Sequence, residues 1–161
     1  MRRRVLLGAA VTLSGCGFAF KRAPELSFKT IQLAGFPARS PLAAELRSQI
    51  DASTTTRVVE SPSEAQVVLQ ALSEAREKVV VAQTSANQIR EFELRLRFNF
   101  RVRSAVGKDL IGDSEIVQRR SLTYTETTAL AKEQEEAFLY RSMQSDIVSQ
   151  VLRRLASVRL V

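Results

Sequence analysis

Residues 89–103 carry the clearest pattern in the chain, a strict alternation from Glu91 onward. Phe92, Leu94, Leu96, Phe98, Phe100 and Val102 hold the even positions. Glu91, Glu93, Arg95, Arg97, Asn99, Arg101 and Arg103 hold the odd ones. A period of two sends successive side chains to opposite sides, so this stretch predicts a half-buried strand. It is longer than the usual strand of about five or six residues, which suits a scaffold strand in the middle of a sheet. One face must be covered by other elements, and the opposite face is polar and rich in arginine.

The flanking sequence supplies the cover. Ser104–Asp109, with Gly107, reads as a hairpin connection. A return strand over about 110–124 places Leu110, Ile116, Leu122 and Tyr124 on one face, and Gly112 marks a bulge. Ala137, Tyr140, Met143, Ile147, Val151, Leu155 and Val158 then step by three or four, which predicts a long helix over about 129–157. Glu133, Glu135 and Glu136 near its start and Arg153 and Arg154 near its end suit the helix dipole.

Upstream, Leu26, Phe28, Thr30, Ile31 and Leu33 predict a first strand over about 26–33, broken by Gly35-Phe36-Pro37. Ser40-Pro41 opens a helix, with serine as cap and proline at the first helical position. Leu42, Leu46 and Ile50 form its apolar side, and it should end near Ser53. Thr54–Val59 is a short extended piece. The next segment carries two signals. Ser61-Pro62-Ser63-Glu64 is a capping box, with Ala65, Val68, Leu72, Ala75 and Val79 at helical spacing. Val67, Leu69, Ala71, Ser73 and Ala75 instead fit one face of a strand. The local signals lean towards helix. One amphipathic sheet and two amphipathic helices make a two-layer α+β sandwich, and the length predicts a single domain.

The amino-terminal stretch is of a different kind. Arg2, Arg3 and Arg4 precede a short apolar run, Val5–Leu13, and Leu13-Ser14-Gly15-Cys16 closes it. The run is far too short for a membrane-spanning helix, which needs about 20 apolar residues. It reads as an export signal over residues 1–15, removed from the mature chain. The tetrad resembles the bacterial lipobox. That resemblance implies cleavage before Cys16, a diacylglycerol thioether on its sulfur and an acylated new amine. Gly17 follows the cysteine. An aspartate there would resemble an inner-membrane retention signal, so its absence favours the outer membrane. The folded domain, 16–161, would be lipid-anchored at Cys16 on the periplasmic side.

Composition narrows the chemistry. Cys16 is the only cysteine and histidine is absent, so an internal disulfide is excluded and the commonest general base and metal ligand are missing. With Cys16 lipidated, no thiolate nucleophile remains. We expect no catalytic residues, no metal and no cofactor beyond the covalent lipid. Loss of Arg2–Arg4 with the signal leaves 21 Lys+Arg against 17 Asp+Glu, a net charge of +4.

Three constellations could carry function. Arg95, Arg97, Arg101 and Arg103 share one strand face, and alternation lets only one of Arg119 and Arg120 join them. Arginine suits phosphate recognition. The alternative is a solvated face with cross-strand pairing to Asp113 and Glu115. Nucleic acid is disfavoured, because no aromatic residue interleaves there. Lys132 sits in Thr127-Thr128-Ala129-Leu130-Ala131-Lys132-Glu133, at the start of the last helix. Glu133, Glu135 and Glu136 crowd one turn, where a paired-acid hydrolase would need two carboxylates across a cleft.

The order of elements, together with Leu13–Phe18, Leu130-Ala131-Lys132-Glu133 and Arg153-Arg154-Leu155, resembles the LptE family of lipopolysaccharide-assembly lipoproteins. The resemblance implies two helices packed on one face of a four-stranded, mostly antiparallel sheet. It makes the region around 66–81 a strand, overriding the capping box after Glu64. It implies a plug complex with the outer-membrane barrel LptD and binding of lipopolysaccharide. One basic position of the family's ligand site carries over to Lys132. The other falls near Ser85, which is not basic, and Arg90 is the nearest substitute. The arginine face is then a candidate for barrel or phosphate contacts. A rival reading is an auxiliary lipoprotein of an envelope lipid ABC transporter.

Overall fold

In the computed structural model, residues 24–125 and 129–160 are described. The signal segment, Cys16, and Thr127-Thr128 of the lysine-bearing stretch lie outside them. The chain order is β1 (Thr30–Ala34), α1 (Pro41–Asp51), β2 (Arg57–Val59), a 3-10 turn at Pro62–Glu64, β3 (Val67–Gln83), β4 (Ile89–Ser104), β5 (Asp109–Thr123) and α2 (Ala129–Ala156).

The alternating stretch becomes β4, paired with β3 on one side and β5 on the other along nearly its whole length, both antiparallel. Leu94, Leu96, Phe98, Phe100 and Val102 are buried, and the odd positions between them are half-buried on the other face. Phe98 stacks between Phe36 and Phe100, at ring-centroid distances of 5.6 and 5.2 Å. Fully burying such a ring is worth about 1.5–3 kcal/mol.

The sheet has five strands in the order β2-β1-β3-β4-β5, which corrects the expected four. The extra strand is the three-residue β2, parallel to β1, which in turn is parallel to β3 through Ile31–Ala34 and Val67–Gln70. The sheet is therefore mixed. The expected first strand also begins late. Leu26 and Phe28 are buried, but the ladder starts only at Thr30.

Serine caps α1 as expected. Ser40 Oγ accepts from Ala43 N–H at 3.1 Å and donates to Glu74 Oε2 at 2.6 Å. Leu42, Leu46 and Ile50 face the core from α1, and Met143, Ile147, Val148, Val151, Leu152 and Leu155 from α2. Both helices lie on the apolar side of the sheet. Buried Gln144 joins them, its Nε2 donating to the Pro41 carbonyl at 3.1 Å and to Glu45 at 2.7 Å.

Residues 67–83 form one strand, and the capping box yields only the 3-10 turn, without a side-chain cap. The strand does not keep one parity. Ala71 pairs with Phe100, but Ser73 pairs with Asn99, so Leu72 is an extra residue in the ladder. A bulge of this kind reverses the facing of everything beyond it. Val67, Leu69 and Ala71 face the core. Past the bulge Ser73 and Ala75 turn to the polar face, contrary to expectation, and Glu74, Arg76 and Lys78 turn towards the helices. Gly112 does lie at an irregularity, where the β4–β5 register shifts opposite Phe100–Val102.

Candidate functional site

The polar face of the sheet is a charge mosaic. Arg95 pairs with Glu93 and lies 3.9 Å from Glu77. Arg97 reaches Glu77 at 3.4 Å and Glu115 at 3.7 Å. Arg101 lies 4.0 Å from Asp113 and donates to Gln70 at 2.9 Å, and Arg103 pairs with Asp109 at 2.9 Å. Four guanidinium groups thus stand among five carboxylates, Asp113 and Glu115 included. Of the two later arginines, Arg119 joins this face opposite Arg95. Arg120 lies opposite Leu94 and pairs with Asp146 of α2 at 2.7 Å. Partly exposed pairs contribute little each, about 0–1 kcal/mol. Their effect here is to cancel the cationic field that a phosphate site would need. The face offers hydrogen bonds in alternating charge, with no positive basin.

Arg90 and Lys132 lie at the same end of the sheet, Arg90 next to Tyr124 through its backbone and Lys132 beside Tyr124 across a small cavity. Tyr124 N–H donates to the Arg90 carbonyl at 2.8 Å. Lys132 and Tyr124 line one small cavity of about 120 Å³, together with Lys78, Leu122, Glu133 and Glu136. The Lys132 side chain is 20% exposed, and its ammonium donates to Thr123 Oγ1 at 3.1 Å and to Glu135 at 2.7 Å. The Arg90 side chain is exposed and makes no ion pair among the described residues. Phe92 packs edge-on against Tyr124, with centroids 5.4 Å apart. Two cations, two aromatic rings and an acidic helix start therefore share this end. Ser85 lies beyond them in the exposed turn between β3 and β4.

The three glutamates do not converge. Glu135 pairs with Lys132, Glu136 with Lys78 at 2.6 Å, and Glu133 makes no ion pair among the described residues. Among the described residues no cluster is placed to hold a metal ion, and no helix is long and apolar enough to cross a membrane. A larger cavity, about 620 Å³, lies at the opposite end, lined by Phe28, Lys29 and the Ser53–Arg57 turn. It contains none of the candidate site residues that the sequence singled out.

Sequence reasoning missed the charges on the helix side of β3. Arg76 stacks over Tyr140, 5.2 Å from the ring centre, and Lys78 lies 4.3 Å from the centre of Phe92. The signal was the second alternation, Glu74-Arg76-Lys78, out of phase with Val67-Leu69-Ala71.

A search of curated proteins finds no match. Among solved structures, the uncharacterized lipoprotein B from Nitrosomonas europaea is 30% identical, covers 86% of this chain and 89% of its own, and superposes with a TM-score of 0.75. The rare lipoprotein B from Shewanella oneidensis (20% identity, 80% and 95% coverage, TM-score 0.68) shares the fold. So does a minor lipoprotein from Acinetobacter baumannii (20% identity, 83% and 94% coverage, TM-score 0.65). The lipopolysaccharide-assembly family LptE matches residues 28–155, from the buried Phe28 to the last buried turn of α2. The chain belongs to the LptE family.

Proposed function

We propose that this chain is a non-enzymatic assembly factor of the outer membrane. It is anchored by lipid on Cys16, faces the periplasm, plugs the LptD barrel and binds lipopolysaccharide at the Arg90–Lys132 end of the sheet. The observation that supports this reading is a chain of the LptE family with Lys132 in a small cavity beside Tyr124 and the exposed Arg90 at the same end of the sheet. Lipid A is anionic and amphiphilic, and this end offers cations beside Phe92 and Leu122. Arg90 is free to grip a phosphate in bidentate fashion. Lys132 would first exchange its Glu135 contact for the ligand, so it is the weaker of the two.

The arginine face has a different part in this reading. Its balanced pairs suit the polar wall of a barrel interior better than a phosphate. Pulling a guanidinium from two carboxylates towards one phosphate gains little, whereas a wall of mixed polarity can bond to both signs.

Mild-detergent purification of the chain from outer membranes tests the proposal. Recovery of a barrel protein in stoichiometric amount is expected. Recovery of an ABC transporter without a barrel would transfer the chain to the rival class.

A further inference from the structure

Cations gather at the end of the sheet where β1, β2, β3 and β5 begin and β4 ends. Lys29 and Arg57 stand at the starts of β1 and β2, and Lys108 in the β4–β5 turn. Arg153 and Arg154 lie in the last turn of α2, and Arg159 just past it. The Ser27 hydroxyl donates to the Val158 carbonyl at 2.6 Å, which brings the close of α2 to this end. Against these six cations stand Glu25, Asp51 and Glu64, while Asp109 is paired with Arg103 at 2.9 Å. Of 24 Lys+Arg and 17 Asp+Glu in the chain, the described residues hold 19 and 16. This end therefore carries their whole cationic excess, and the rest of the described domain balances. Residues 1–23 contain no carboxylate that could cancel it, and Lys21 and Arg22 are two further cations in sequence.

Apolar side chains stand among these cations. Val106, in the β4–β5 turn, is 90% exposed, and Leu160, next to Arg159, is 40% exposed. The stretch that precedes the described domain, Gly17-Phe18-Ala19-Phe20-Lys21-Arg22, repeats the mixture in sequence. Lys29 and Arg57 also line the cavity of about 620 Å³, together with the hydroxyl side chains of Ser53, Thr54 and Thr55. Asp51 is on the same wall, its Oδ1 accepting from Val58 N–H at 2.9 Å. Cations interleaved with apolar tips suit a surface where anionic headgroups lie over an acyl boundary. A nucleic acid or an acidic protein would use the charge and leave the exposed Val106 and Leu160 without a role.

We propose that this end of the domain docks on an anionic phospholipid bilayer. Lys29 and Arg57 hold a headgroup phosphate, and Val106 reaches the acyl boundary. Docking orients the domain, with the Arg90–Lys132 end turned away from that leaflet. There Lys78, Arg90 and Lys132 stand among Glu91, Glu133, Glu135 and Glu136, so the far end has no cationic excess to compete. The proposal rests on the anchoring at Cys16 proposed above, which brings this end to a bilayer. From Cys16 to Pro24 the chain spans at most about 30 Å. A short tether matters, because the attraction fades within a Debye length, about 8 Å at physiological ionic strength. Each cation close to such a surface strengthens binding by about fivefold.

The test uses the chain purified from membranes and placed in phosphatidylcholine vesicles with or without phosphatidylglycerol. Flotation on phosphatidylcholine alone, with the mass of the Cys16 peptide, reports the anchor independently of this end. Should Cys16 prove unacylated, the anchoring falls, and the docking is tested in Cys16→Ser, where charge alone must bind the vesicles. A fluorophore on Val106→Cys is compared with one on Ser85→Cys, in the exposed turn at the opposite end. With phosphatidylglycerol present, headgroup-nitroxide lipid should quench the Val106→Cys label about threefold more than the other. The difference should vanish in about 1 M salt, where the Debye length is about 3 Å. Lys29→Gln with Arg57→Gln should abolish it. Arg39→Gln with Arg141→Gln, an equal charge change at exposed sites away from this end, should keep it. Equal quenching of the two labels, or equal loss in the two double variants, would overturn the docking surface. Quenching that requires lipopolysaccharide in the vesicle, with phosphatidylglycerol inert, would assign the end to that ligand and overturn the phospholipid surface.

Discussion

Lys78 Nζ lies 2.6 Å from Glu136 Oε2 and 4.3 Å from the centre of the Phe92 ring. One ammonium thus joins β3 to α2 and to β4. The contact exists because the bulge at Leu72 turned Lys78 towards the helices. Both partners keep some solvent contact, at 37% and 24% exposure, so screening limits the pair. A double-mutant cycle of Lys78→Met and Glu136→Gln, read by urea denaturation, should give a coupling of about 0.5–1 kcal/mol. A coupling near zero would mean that the bulge places Lys78 without a stabilising partner.

Gly35 and Gly107, both with positive φ, should respond differently to alanine. Gly35 has φ +75°, and a Cβ there would stand 2.4 Å from the Ala71 carbonyl oxygen, which is backbone and cannot swing away. Gly107 has φ +84° but nothing within 4 Å of an added Cβ. Gly107→Ala should cost about 1–2 kcal/mol, the left-handed penalty alone. Gly35→Ala should cost clearly more. Equal unfolding midpoints for the two variants would contradict the close approach of the β1 end to the bulge.

Phe98 is fully buried between two rings. Phe98→Ala should cost about 3–5 kcal/mol. Phe98→Asp should abolish folding, because it buries a charge without a partner. A folded aspartate variant, seen by dispersed amide resonances, would refute the facing of β4.

The Tyr140 hydroxyl titrates above the ordinary tyrosine value of 10.0, chiefly because burial disfavours the phenolate, and Glu136 adds to the effect. Between the unfolded and folded values the native state holds the extra proton. Its contribution to stability is therefore complete below about pH 10 and is lost as pH rises through the folded value. Tyr140→Phe should lose about 1 kcal/mol at neutral pH with the Glu77 hydrogen bond. Its stability should also fall less steeply than the parent's above pH 10. Parallel curves would show that burial does not hold the proton.

Arg90→Asp should weaken lipopolysaccharide binding more than Lys132→Asp does, because Lys132 already spends its charge on Glu135. Each should leave the fold and barrel complex unchanged. The checks are binding by fluorescence titration and recovery of the complex. A larger loss at Lys132 would mean that the Glu135 pair opens on binding.

What the sequence revealed depended on uninterrupted periodicity. β4, α1 and α2 carry strong repeats with clean ends, and their bounds agree within a few residues. In β3 the repeat is broken by inserted residues at Leu72 and again at Val81, so neither parity runs through and the helical spacing competes. β2 has only three residues, inside the stretch expected to be extended, but nothing local seats it in the sheet. Its parallel seat on β1 depends on tertiary contacts, including Asp51 accepting from Val58 N–H at 2.9 Å. At the site, Lys132 and Arg90 were nameable from the resemblance, but their lying at the same end of the sheet depends on the β4–β5 register. The pairing of Arg97 with Glu115 and of Arg101 with Asp113 was legible, since alternation and a hairpin suffice to align them.

The short parallel ladder between β1 and β3 has a consequence for the order of assembly. Strands β3, β4 and β5 pair with one another as successive hairpins, whereas β1 waits for Val67–Gln70 and Ser27 waits for the Val158 carbonyl, 2.6 Å away. Contacts of long sequence separation form late. A chain made amino end first therefore delivers its least self-sufficient part before the scaffold that completes it. Native-state hydrogen exchange should find β1 and β2 opening at lower free energy than β4. The amino-terminal corner of the sheet would then be the last to close and the first to loosen.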